Sequence, residues 1–191
     1  MQKNILILTA HPSSGGHTHI ISNVYAEAAR AAGHTVEIID LYKPENQLPF
    51  LQYEDVKNYE MHPNVIRFQE MISRTNELVI VHPLWWGGAP AIMKNFFDQV
   101  FTAGFAFSWK GGKLNKLLKG RTSKVFISAG GPMWIYNLFV IPPFKAIWKY
   151  MTLEYCGMEV TDFMVCDNMS KPNRDTHLLE FNKKVARSAR R

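Results

Sequence analysis

Residues 4–18 read NILILTAHPSSGGHT. The first six, Asn4–Thr9, form an unbroken apolar run apart from its two ends. A half-solvated strand alternates apolar and polar residues, whereas a continuous run belongs to a strand covered on both faces. The run stops at Ala10-His11-Pro12, and small polar residues follow as far as Thr18. Residues 18–32 then read as a helix. Ile20, Ile21, Val24, Ala28 and Ala31 recur at helical spacing, and Gly33 is a natural stop.

The same strand-then-helix unit recurs along the chain. Strands are expected at 35–40 (TVEIID), 77–82 (ELVIVH), 123–128 (SKVFIS) and 159–165 (EVTDFMV). Helices are expected at 63–74, 89–101, 143–154 and 175–190, with a loop holding a short helix over 41–61. Five strands alternating with helices predict an α/β doubly wound five-stranded parallel sheet with right-handed crossovers. At 191 residues a single domain over 1–191 is expected.

Composition narrows the class further. Hydrophobic residues are 47% and charged residues 20%, which excludes a disordered or collagen-like chain. The net charge is +6, and five of those charges (Lys183, Lys184, Arg187, Arg190 and Arg191) sit in the tail 183–191. A basic tail suits a solvated helix end or peripheral association with an anionic membrane. No nucleic-acid motif accompanies it, so no nucleic-acid partner is expected. Cys156 and Cys166 make no CxxC pair and read as buried thiols of a reducing compartment. The N-terminus lacks a secretory h-region, and no stretch reaches the roughly 20 apolar residues of a membrane span. The cytoplasm is the expected location.

Doubly wound sheets bind ligands beyond the carboxyl ends of their strands. Three strand-end loops stand out. In residues 10–18, small residues and a helix N-terminus suit a phosphate, with Ser13, Ser14, Thr18, His11 and His17 as donors. The loop is neither a Walker A nor a GxGxxG motif, and an ordinary turn with Thr18 as N-cap is the other reading. In residues 82–90, HPLWWGGAP, two adjacent Trp cannot both point into one core face, so one indole leaves it. It could form a planar ligand wall or cover the next helix. In residues 128–136, Gly130-Gly131 permits close backbone approach, with Tyr136 as a hydroxyl donor at the rim. A plain turn is the alternative.

Segments 85–109 and 134–150 hold 14 of the 24 aromatic residues. Part is core, notably Phe97 and Phe101. The surplus suits an aromatic ligand slot, an oligomer interface, or both. No HExxH, CxxC or GxSxG accompanies the histidines, so neither a metal site nor a serine nucleophile is expected.

With Ala10-His11-Pro12, the block HPLWWGGAPAIMKNFFDQVFTAGFAF (residues 82–107), Gly130-Gly131 and Tyr155-Cys156-Gly157, the chain resembles the short bacterial NAD(P)H:quinone oxidoreductases, DT-diaphorase-like proteins of flavodoxin-like fold. The resemblance implies a non-covalent FAD or FMN, NAD(P)H as electron donor, a quinone or other small aromatic acceptor, and a homodimer whose second chain completes the slot. It places His11, Gly16, His17 and Thr18 at the flavin phosphates, and Pro83, Leu84, Trp85, Trp86 and Gly87 along the ring. Gly130, Gly131 and Tyr136 would stabilise the negative charge of the reduced flavin. Gly16 stands where a hydroxyl is common, which leaves only backbone contact there. Pro142 stands where the larger relatives carry a histidine. Two other roles remain open on sequence: an ancillary flavoprotein subunit of a membrane ion-efflux system, and a flavodoxin-type electron carrier.

Overall fold

The computed structural model describes residues 1–55, 59–132, 134, 137–138 and 141–191. Five parallel strands form the central sheet: β1 (Asn4–Thr9), β2 (Thr35–Asp40), β3 (Glu77–Pro83), β6 (Thr122–Ser128) and β7 (Glu159–Cys166). Their spatial order is β2-β1-β3-β6-β7. The chain runs outward from β1 to β2, returns across β1 to β3, and continues the other way. The direction therefore reverses between β1 and β3, where a doubly wound sheet opens a crevice.

The continuous apolar strands serve two cores. Successive side chains point to opposite faces. Ile5, Ile7, Val79, Val81 and Phe126 pack under α1 (His17–Ala31) and α6 (Arg174–Ala189). Leu6, Leu8, Leu78, Ile80, Val125 and Ile127 pack on the other face. There they meet α2 (Pro63–Ser73), α3 (Ala91–Val100) and a helical segment that follows β6. That segment begins as α4 (Ile141–Ala146), passes through a π-helical stretch, Ile147–Leu153, and ends as α5 (Glu154–Cys156). Gly157 then takes φ +101° to stop it, a conformation that favours glycine.

Two helix starts and one hairpin differ from expectation. Helix α1 starts at His17 with Gly16 as its N-cap, so Thr18 is not the cap. Pro90 delays α3 to Ala91. A short antiparallel hairpin, β4 (Phe107–Lys110) and β5 (Lys113–Lys116), was not anticipated. Its Gly111 and Gly112 have φ +59° and +74°, the pair of positive values that a two-residue type I′ turn demands.

The amino ends of the central strands carry a buried polar network. Glu77, Lys124 and Tyr25 are all at most 3% exposed. Lys124 Nζ lies 3.3 Å from Glu77 Oε1 and donates to Tyr25 Oη at 2.9 Å and to the Ser188 carbonyl of α6 at 2.7 Å. Lys3 Nζ and Thr122 Oγ1 donate to Glu77 Oε2. Burial pushes the Glu77 carboxyl up, but Tyr25, Lys124 and Lys3 together hold it below its ordinary value. Each charge is thus both paired and hydrogen-bonded, which such deep burial requires.

Candidate functional site

The switch point brings the carboxyl ends of β1, β3, β6 and β7 together. A crevice of about 350 Å³ is lined by Pro83, Leu84 and Trp85 after β3, Ser128, Ala129 and Gly130 after β6, and Met169 and Ser170 after β7. The β1 loop closes on it, with the His11 ring centroid 6.1 Å from that of Trp85. The buried Thr18 hydroxyl lies 3.5 Å from Ser128 Oγ.

The β1 loop is shaped around His11. The Ser13 N–H donates to His11 Nδ1 at 3.1 Å. A Cβ on Gly16 would lie 2.6 Å from that nitrogen, so only glycine leaves the imidazole its place. Helix α1 opens without a side-chain cap and without an acidic residue in its first turn. Its N-terminal amides therefore present uncompensated positive potential, the condition for binding an anion. His17 is half-buried at the first position of the helix. Two residues on, His19 Nε2 donates to Asp40 Oδ2 at 3.1 Å, and Asp40 Oδ1 accepts from the Tyr42 N–H.

The β3 loop is a closed turn. Trp85 and Gly88 exchange backbone hydrogen bonds, Trp85 N–H to Gly88 O at 3.0 Å and Gly88 N–H to Trp85 O at 2.8 Å. Between them Trp86 has φ +50° and Gly87 φ +74°. Both indoles leave the core. Trp85 is 39% exposed beside the crevice, and Trp86 is fully exposed at the tip. Gly87 and Gly88 face the other way, into a larger cavity of about 630 Å³ lined by aromatics including Phe97, Phe107, Trp148 and Tyr155.

His82 underlies this turn. It is fully buried, and burial pushes its imidazole down to about 4, against the opposing pull of its bond to Pro83. The neutral ring donates from Nδ1 to the Pro83 carbonyl at 2.7 Å. Its Nε2 faces no polar partner, and the ring packs against Phe144 and Trp148.

The β6 turn is held by a loop absent from the sequence-based site. Asn168 and Met169 donate their backbone N–H groups to the Gly131 and Ala129 carbonyls, both at 3.1 Å. Ser170 Oγ donates to the Gly130 carbonyl at 2.6 Å. Asn168 adopts φ +59° to do so. Only the general rule that ligands sit beyond strand ends could have pointed to 168–170. Tyr136 lies outside the described residues. Pro142 is exposed in α4 and carries no titratable group. Among the described residues no group of His, Cys, Asp or Glu is placed to hold a metal ion. Cys156 and Cys166 are free and buried, with thiols pushed by burial up to about 11 and about 12. Neither is suited to act as a nucleophile.

The residues fit a phosphorylated planar cofactor. The anion cradle at 11–18 adjoins a crevice with the Trp85 indole on one wall and Gly130 on another. Among the described residues no acidic side chain lines that crevice.

Comparison with known proteins gives the same picture. A family pattern described as "Flavodoxin-like fold" matches residues 3–188. An uncharacterised NAD(P)H oxidoreductase of Haemophilus influenzae is 30% identical, over 84% of this chain and 81% of its own. An FMN-dependent NADH:quinone oxidoreductase of Coprothermobacter proteolyticus is 27% identical, over 76% of this chain and 74% of its own. Among solved structures, an NAD(P)H:quinone oxidoreductase from Methanothermobacter marburgensis superposes with a TM-score of 0.85 at 23% identity. That match covers 100% of this chain and 96% of the other.

Proposed function

The chain belongs to the flavodoxin-like fold family, and from that premise we propose that it is a flavin-dependent NAD(P)H:quinone oxidoreductase using FMN. The observation that carries the reading is the uncapped helix start of residues 11–18 adjoining the crevice, His11 beside Trp85 and Thr18 beside Ser128. The names of the relatives support the reaction and the cofactor. The flavin supplies the two-electron chemistry when bound, and the protein supplies orientation and electrostatics.

The residues divide by the work they do. His11, Gly16, His17 and Thr18 hold the phosphate through amides, ring N–H groups and helix potential. Pro83, Leu84 and Trp85 form the wall along the ring, whereas Trp86 at the exposed tip of the turn and Gly87, which faces the larger cavity, do not line that crevice. Gly130 and Gly131 present backbone donors where negative charge accumulates, and a preorganised donor counts most there. Tyr136 keeps its role as a rim donor on sequence grounds alone. NAD(P)H and quinone use the open side in turn, so no side-chain nucleophile is required.

A second copy of the chain completes the slot in this reading. The 630 Å³ cavity is apolar, and two of its lining residues, Ile147 and Met151, are more than half exposed. Such surface is costly to leave in water. Two free thiols suit a reducing compartment, the cytoplasm. Among the described residues no helix is long and apolar enough to cross a membrane, and any membrane contact would be peripheral, through the basic residues of 183–191. The test is the absorbance spectrum of protein loaded with FMN, recorded before and after anaerobic NADPH and again after menadione. Bleaching by NADPH and recovery with menadione are expected. Failure to retain any flavin would overturn the reading.

A further inference from the structure

Loop 168–170 takes three consecutive carbonyls of the β6 turn: Ala129 and Gly131 through the amides of Met169 and Asn168, and Gly130 through the Ser170 hydroxyl. A trans peptide sets the N–H of the following residue antiparallel to the carbonyl it is bonded to, so the Gly130 and Gly131 N–H groups lie opposite the Ala129 and Gly130 carbonyls, whereas Pro132, after Gly131, has no N–H to offer. In the sheet, β7 flanks β6 on one side and β3 flanks it on the other. The loop after β7 therefore draws these carbonyls to its own side. The two N–H groups opposite them, those of Gly130 and Gly131, turn toward the β3 side, where Pro83, Leu84 and Trp85 form the opposite crevice wall. Two of the three contacts are backbone amides that any residue would supply. The Gly130 contact depends on a side chain. Glycine has no Cβ to restrict its peptide plane, so an external bond must fix it.

We propose that Ser170 is a positioning residue: by holding the Gly130 carbonyl it fixes the Gly130–Gly131 peptide plane and favours the reduced, negatively charged form of the bound flavin over the oxidised form. The proposal rests on the flavin reading above. The Ser170 hydroxyl also polarises the peptide it binds, strengthening the N–H end of that dipole. A buttress with only a structural role would affect both redox forms alike, and the potential would not move.

The test compares wild type with Ser170→Ala and Ser170→Thr, each loaded with FMN. The midpoint potential of the bound flavin is measured by dye equilibration, and oxidised FMN affinity by fluorescence quenching. Ser170→Ala is expected to lower the ratio of reduced to oxidised affinity about fivefold, the scale of one hydrogen bond. At 29.6 mV per tenfold for a two-electron couple, that is a potential about 20 mV more negative. Ser170→Thr keeps the hydroxyl and should stay at the wild-type potential. A Ser170→Ala protein that binds FMN at an unchanged potential would overturn the proposal. If Ser170→Thr falls as far as Ser170→Ala, the hydroxyl is not the cause and the proposal is equally overturned. Wild type that takes up no FMN fails at the earlier step, and that result removes the flavin reading itself.

Discussion

Trp86 holds a conformation that its side chain does nothing to stabilise. At φ +50° it occupies the left-handed region, which costs a residue bearing a Cβ roughly 1–2 kcal/mol. Its indole is fully exposed, so no burial offsets that cost. Asparagine tolerates the region far better, and Asn-Gly is the preferred central pair of a type I′ turn. Gly87 already supplies the second position at φ +74°. Trp86→Asn should therefore stabilise the flavin-free protein by about 1 kcal/mol, or roughly 2–4 °C in Tm for a chain of this length. Urea unfolding of the flavin-free variant and wild type reads the difference directly. Trp86 lies at the exposed tip of the turn and does not line the crevice, whose indole wall is Trp85, so kcat/KM for quinone in the flavin-loaded enzyme should stay near the wild-type value. Stability gained with activity retained is the expected pair. A variant no more stable than wild type would show that the turn is unstrained, and the argument from φ would fail.

Two further predictions concern the neighbouring elements. Below pH 6.5 an unfolded histidine takes up a proton that buried His82 refuses until about 4, so stability is lost as the pH falls through that window. The loss should be about 3 kcal/mol, and His82→Phe should remove this component from urea midpoints measured between pH 7 and pH 4. Gly16→Ala would drive a Cβ to 2.6 Å from His11 Nδ1. The half-buried ring can swing aside at a cost of about 1 kcal/mol to the fold. FMN affinity measured by calorimetry should fall about tenfold, because the displaced imidazole bounds the phosphate cradle.

Sequence periodicity carried the sheet well and the site in part. β1 lies where its apolar run places it, because a strand buried on both faces leaves little latitude in composition, and β2, a partly exposed edge strand, keeps its expected bounds too. β3 and β6 each extend one residue further. The β4–β5 hairpin was missed because its strands are short and mostly exposed, although Gly111-Gly112 between FSWK and KLNK is itself a hairpin signal. Two of the three glycine-containing loops read from sequence line one crevice, and the third adjoins it through His11 and Thr18. The fourth contributor, 168–170, has no glycine and an ordinary composition, and its effect lies in where its N–H and O–H groups point. His82 and Lys124 were equally hidden. A titratable residue near a strand end reads as solvated until the packing around it is known, and both are buried.

The turn from Trp85 to Gly88 satisfies its own backbone through two mutual hydrogen bonds. Its shape is thus established as the chain folds and does not wait for a ligand to impose it. The entropy of ordering that wall is charged to folding, and an incoming ring meets a finished surface. Affinity for different planar guests should then follow how well each matches a fixed template. A protein built this way selects among aromatic molecules by fit and adapts little to the ones that do not fit.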